Sequence, residues 1–331
     1  MSVGARIELG LRRAWTSRGP LAWLLWPLSL IYGALWQLHA ARWRRQPPPR
    51  LPVPVVVVGN VIAGGAGKTP VTIALVHDLL AHGWRPGVVS RGHGRQTAGN
   101  QAVSTQSAAQ AVGDEPLLIA RATGVPVQVG VQRVEAAREL LAAYPEVNVI
   151  VCDDGLQHLA LPRDVEVVVF DDRGTGNGWL LPAGPLREPW PRPVTGATQI
   201  VVETTRRQLD AEALAGLGQR PVAALAGIAR PEVFFNMLRR EGLVLTTTLP
   251  LPDHADFAAD WPALRERLRQ APLWLCTEKD AVKLLPLLGT GDPEVRAVPL
   301  QVALDPTFFA AVRQALIIEP PNLPPHGHPI A

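Results

Sequence analysis

Residues 55 to 70, VVVVGNVIAGGAGKTP, constrain the fold of this chain more than any other stretch. Four consecutive valines suit a strand buried on both faces, and the glycines that follow let successive backbone N–H groups turn toward an anion. The next helix adds its positive N-terminal end, so the stretch reads as a buried strand, a phosphate-binding loop and a helix. Ile62, Ala63, Gly64, Gly65, Ala66, Gly67, Lys68 and Thr69 are the nucleotide-binding candidates, with Lys68 reaching the β- and γ-phosphates of ATP or GTP and Thr69 ligating Mg²⁺. Ile62 stands where the pattern G-x-x-x-x-G-K-[ST] has its first glycine. Lysine occurs only at positions 68, 279 and 283, and every other basic residue except histidine is arginine, so a lysine after this glycine run is not background. A plain glycine turn beside a solvated lysine is the competing explanation.

A chain of 331 residues has room for about two domains. Its formal charge of +3 is too weak to argue for nucleic acid, and no aromatic-rich basic module is present. Cys152 and Cys276 are the only cysteines, far apart, so neither a disulfide framework nor a Cys-x-x-Cys metal site is indicated and a reducing compartment is expected.

Near the N-terminus, Arg12, Arg13 and Arg18 precede an apolar stretch from Leu21 to Leu38 that Pro27, Ser29 and Gln37 interrupt. A signal peptide, a spanning helix and a segment lying in the membrane interface all compete for it, as does a helix packed on the protein's own core. Arg42, Arg44 and Arg45 flank the far end as arginines flank the near end, which removes the charge asymmetry of a span. Trp15, Trp23, Trp26, Trp36 and Trp43 supply the amphipathic rings of a bilayer interface. The expectation is therefore a helical segment over residues 1–45 on the cytoplasmic face of a membrane. Residues 46–54, QPPPRLPVP, read as a stiff linker.

After the loop, a helix to about His82 and a strand from Arg85 to Ser90 close a βαβ unit, hence a parallel sheet with ligands at the strands' carboxyl ends. At that edge lies Ser90-Arg91-Gly92-His93-Gly94-Arg95, a basic glycine-flexed loop that suits an anionic substrate or is a solvated connection. Asp114 and Glu115 precede Pro116 at a helix start, where one acid reads as an N-cap; a pair of acids can also hold Mg²⁺ or take a proton from a hydroxyl. The apolar strand before Asp153 and Asp154 has the form of a magnesium-holding strand beside a phosphate loop. Gln157 and His158 follow on the same connection, and residues 174–193 form a long glycine- and proline-rich loop. From about Gln199 a second α/β region is expected, with strands near residues 223–226, 243–248 and 273–276. Thr277 is placed to cap a helix, and Asp253-His254 is either a proton-transfer pair or a surface turn. Residues 319–331 read as a disordered tail.

Taken together, Gly59-Asn60, Ala63 to Pro70, Ser90-Arg91-Gly92, Gly113-Asp114-Glu115-Pro116, Asp153 to His158, Leu181 to Glu188, Pro252-Asp253-His254 and Thr277 to Lys283 resemble the tetraacyldisaccharide 4′-kinases, the lipid A 4′-kinases of Gram-negative bacteria. The resemblance runs from the apolar segment to about residue 315. It implies an α/β fold: a P-loop NTPase-like parallel-sheet core over residues 51–195, a second, smaller α/β domain over 196–318, and an N-terminal membrane-associated helix at the inner membrane. It implies transfer of the γ-phosphoryl of ATP, with Mg²⁺, to the 4′-hydroxyl of an acylated glucosamine disaccharide 1-phosphate, with no protein partner required. Carried residue by residue, it makes Asp114 the base on that hydroxyl and His254 its partner, with Lys68 as the phosphate-binding lysine. It makes Thr69, Glu115, Asp153 and Asp154 the Mg²⁺ shell and places Arg91, His93, Arg95 and His158 near the disaccharide or the phosphates. The rival from another class is a dimeric NTPase switch, whose loop usually carries a second lysine where this chain has Ala63.

Overall fold

The computed structural model describes residue 10 and residues 14–46, 48–192, 196–205, 207–218 and 220–317. Arg12, Arg13 and the expected tail over 319–331 lie outside the described residues. The larger sheet has seven strands: β1 (Val55–Gly59), β2 (Pro86–Ser90), β3 (Gln101–Val103), β4 (Val127–Val129), β5 (Val149–Asp153), β6 (Val165–Phe170) and β7 (Thr198–Glu203). Their order is β3-β4-β2-β5-β1-β6-β7, and every pairing is parallel except β3 with β4. The valine run thus sits at the interior of the sheet, as four consecutive β-branched residues require. Val56 and Val58 enter the core on one face, and Val55 and Val57 the core on the other.

β8 (Arg207–Leu209) pairs antiparallel with β13 (Leu300–Val302). A four-stranded parallel sheet contains β9 (Val222–Ala226), β10 (Leu245–Pro250), β11 (Leu273–Thr277) and β12 (Glu294–Val298) in the order β10-β9-β11-β12. It too is buried on both faces, with Phe235 and Leu238 covering one side and Trp274 and Leu268 the other. The helix Glu278–Leu284 leaves this sheet capped by the Thr277 side chain, which accepts from the Asp280 amide, and packs on the helix Asp114–Thr123 of the larger unit.

The two sheets meet the expectation of an α/β chain with a smaller second sheet, but the chain crosses between them differently. Thr198–Glu203, expected in the second region, is the edge strand of the first sheet, parallel to β6. The helix Pro306–Ile317 also returns to the first unit, where Phe308, Val312 and Leu316, spaced one turn apart, complete its core. The proline-rich stretch before β1 is no free linker, because Leu51 and Val53 pack on the core beneath that sheet. Pro27 does not break the apolar segment, which is one helix over Pro20–Arg45.

Candidate active site

The phosphate-loop candidates divide into two groups. Gly64 to Thr69 line a cleft of about 1150 Å³ that runs between the two units. Ile62 is buried in the core and bridges Leu186, while the Ala63 amide donates to the Pro185 carbonyl, 2.7 Å. The missing first glycine is therefore a residue that faces away from the cleft. Asn60, fully buried, donates to the carbonyls of Ile62 (2.8 Å) and Gly64 (3.2 Å). Arg173 donates to those of Ala63 (3.1 Å) and Gly65 (2.8 Å), and the Thr204 hydroxyl to that of Ala66 (2.9 Å). With its carbonyls tied from outside, the loop has its N–H groups to offer an anion. Gly67 precedes the helix Lys68–Ala81 at φ +81°, where a Cβ would also press on Thr204 at 3.1 Å. Lys68 Nζ lies 3.2 Å from Asn60 Oδ1 and 3.6 Å from Asp154 Oδ1.

Asp153 ends β5 with no exposed surface, and its Oδ1 accepts from the Thr72 hydroxyl at 2.9 Å. Its Oδ2 is buried without a hydrogen-bond partner. Burial first, then the charges of Glu115 and Asp154, pushes its carboxyl up to about 7. Asp154 is twisted to φ +50° and lines the cleft with Glu115 and Thr69. Burial opposes its ionisation, but Lys68 and Arg187 outweigh burial and hold it below the ordinary value. An orphaned buried carboxylate oxygen beside two further acids is what a hard cation satisfies. Among the described residues no three His, Cys, Asp or Glu side chains form a complete metal cage.

Asp114 and His254 come from different units, 140 residues apart, and meet at 3.1 Å between Oδ2 and Nδ1. Gly113, at φ +94°, turns the chain so that Asp114 opens its helix with the carboxylate inward. Burial opposes its charge, but the His254 hydrogen bond, Lys279 and Lys283 (3.2 Å from Oδ2) reverse this and hold it well below the usual carboxylate range. The hydrogen bond to Asp114 raises His254 above its ordinary value against burial and the charge of Lys279. In the neutral ring the geometry puts the proton on Nδ1, with Nε2 accepting from Lys279 Nζ at 3.2 Å. Lys279 also reaches Glu115 and Asp253, 3.1 Å each.

Of the four substrate candidates, Arg91, His93 and His158 line the cleft, and the His93 ring lies tilted against His254 with centroids 5.0 Å apart. Arg95 does not line it; its guanidinium donates to the Gly99 carbonyl in its own loop. Burial, then Arg133, Arg163 and Arg91, lowers His158 to about 4, so the ring is neutral at pH 7. A histidine depressed from its unfolded value of about 6.5 binds fewer protons folded than unfolded, so its contribution to stability falls as pH drops from about 6.5 to about 4. We expect His158→Gln to flatten the acid side of the stability curve over that window, measured by thermal unfolding against pH.

Sequence reasoning gave no role to Lys279, Lys283, Arg187 or Arg173, yet Lys279 and Arg187 line the same cleft. The available signal was lysine itself: Lys68 and Lys279 line the cleft, and Lys283, the third lysine of the chain, reaches Asp114 behind it.

The model of the family described as tetraacyldisaccharide-1-P 4′-kinase matches residues 21–317. A tetraacyldisaccharide 4′-kinase of Acidovorax sp. (strain JS42) is 54% identical over 321 residues, covering 90% of this chain and 92% of its own. That of Polaromonas naphthalenivorans (strain CJ2) is 50% identical, covering 96% and 98%. The crystal structure of an "apo" form of LpxK from Aquifex aeolicus in complex with ATP superposes with a TM-score of 0.71 at 25% identity, covering 89% of this chain and 99% of that one. With the family model spanning nearly every described residue and the fold shared with an ATP-bound member, the chain belongs to the tetraacyldisaccharide 4′-kinase family.

Proposed function

We propose that this protein transfers the γ-phosphoryl of ATP to the 4′-hydroxyl of a tetraacylated glucosamine disaccharide 1-phosphate, the 4′-kinase step of lipid A synthesis. The observation that carries the reading is one cleft lined by the phosphate loop with its lysine on one side and by His254 on the other, with the buried Asp114 carboxylate 3.1 Å behind the His254 ring. Phosphoryl transfer asks chiefly for positioning and charge neutralisation. Lys68 and the loop amides receive the β- and γ-phosphates, and Asp114 accepts the hydroxyl proton. A carboxylate held this far down is a weak base, which suits a loose transition state in which that proton leaves late. His254 orients the carboxylate from the facing unit. Thr69, Glu115, Asp153 and Asp154 would hold Mg²⁺, which neutralises phosphate charge when bound. Arg91, His93 and His158 face the anionic sugar phosphate or the nucleotide. The kinase domain in this reading comprises the larger sheet with the returning helix Pro306–Ile317, and the smaller sheet forms the second domain. The test is whether ATP consumption rises with added glycolipid; consumption that responds only to a protein partner would favour the switch.

The helix Pro20–Arg45 is long and apolar enough to cross a membrane. We place it instead in the plane of the cytoplasmic leaflet of the inner membrane. Ala22, Ser29, Gly33 and Ala40 are buried, whereas Leu24, Leu28, Ile31, Leu35 and Leu38 project from other faces. Crossing the bilayer would carry the body docked at Ser29 and Tyr32 into hydrocarbon. Replacing Leu24, Ile31 and Leu35 by glutamate is expected to abolish co-sedimentation with phosphatidylglycerol vesicles while preserving the fold. Unchanged sedimentation would remove the helix from that role.

A further inference from the structure

The apolar helix is built onto the phosphate loop through one intervening segment. Ser29 Oγ donates to the Leu180 carbonyl (2.8 Å) and accepts from the Ala183 amide (3.0 Å). One turn on, the Tyr32 hydroxyl donates to the Arg187 carbonyl at 2.6 Å. That segment runs antiparallel to the start of the loop: the Ala63 amide donates to the Pro185 carbonyl and the Arg187 amide to the Val61 carbonyl, 2.7 Å each. The Arg187 guanidinium then reaches Asn60 Oδ1 and Asp154 Oδ1, both at 3.4 Å. Asn60 is the side chain that closes the loop and receives Lys68. Helix, segment and loop therefore form a continuous chain of hydrogen bonds between the membrane-facing element and the nucleotide site.

We propose that Tyr32 is a positioning residue for nucleotide binding: by fixing the main chain of Arg187 it sets the guanidinium against Asn60 and Asp154, so that docking of the apolar helix and binding of ATP are coupled. A coupling of this kind is reciprocal, and bound nucleotide tightens the dock as the dock tightens the nucleotide. Ser29 holds Leu180 and Ala183 but not Arg187, so it acts on the nucleotide only indirectly, through the dock, and by less than Tyr32 does. The inference rests on the kinase reading for its purpose, though not for its test.

The experiment is a double-mutant cycle on the full chain in mixed micelles of non-ionic detergent and phosphatidylglycerol, read as affinity for a fluorescent ATP analogue. Losing one neutral hydrogen bond, Tyr32→Phe is expected to weaken affinity about 3- to 10-fold, and by less than about twofold when Arg187 is already alanine. Ser29→Ala is expected to lower the melting temperature without a comparable loss of affinity. Equal factors for Tyr32→Phe in both backgrounds would overturn the proposal, as would no effect in the native background or an equal loss from Ser29→Ala. Because the readout is nucleotide affinity, a protein that phosphorylates no glycolipid would sink the kinase reading and still decide this one.

Discussion

Asp114→Ala is expected to lower turnover by about three orders of magnitude while ATP still binds, in line with the usual contribution of a positioned general base. The carboxylate is in hydrogen-bond contact with His254 and Lys283, while Lys279 engages both Glu115 and Asp253. Some loss of stability is expected with the change, because Lys283 is only 11% exposed and loses its carboxylate, keeping the Ala255 carbonyl alone as hydrogen-bond partner. Asp114→Asn separates the two effects. The amide keeps the shape and can still accept from Lys283, so stability recovers in thermal unfolding while turnover stays low. Near-normal turnover in either variant would take the base assignment away from Asp114.

Lys68→Ala is the second large effect, with turnover expected to fall by about two to three orders of magnitude. Its ammonium lies 3.6 Å from Asp154 Oδ1, beside the Arg187 guanidinium at 3.4 Å, and it is the only lysine on that side of the cleft. Removing it leaves the phosphates facing Asp154 and Asp153 with less compensation, so the nucleotide binds more weakly as well. The fold is expected to survive, because Asn60 and Arg173 hold the loop through its carbonyls without help from the lysine. Lys68→Met, which keeps the length, is expected to be no better than alanine in steady-state kinetics; recovery with Met would mean that the stem and not the charge matters.

The parts legible in the sequence were those that a single local pattern encodes. The valine run, the glycines and Lys68 favoured a phosphate loop over a plain turn, and parallel strands bring Ser90, Asp153 and the loop to one edge without further information. Thr277 as a helix cap was equally local. The pairing of Asp114 with His254 was not local: each residue alone fits a cap or a turn, and only the family resemblance joined them across the two units. Lys279 and Lys283 escaped for the same reason, since their targets lie 164 and 169 residues away. The three-residue strands Gln101–Val103, Val127–Val129 and Leu300–Val302 are too short to show alternation. The return of Pro306–Ile317 to the first core could not be read either, because an apolar helical stripe says that it is covered and not by which sheet. Ile62 is the instructive departure: the pattern asks for glycine only where backbone must approach phosphate, and here that position packs into the core.

Phosphoryl transfer to a lipid acceptor is the central reaction proposed for this cleft. The measurement that tests it most directly is the transfer of labelled γ-phosphate from ATP to a purified tetraacylated disaccharide 1-phosphate in micelles, with Lys68→Ala run alongside. The expected result is label on the 4′-position of the lipid with the native protein and almost none with the variant. Label that appears only as inorganic phosphate, at a rate the glycolipid does not change, would contradict it.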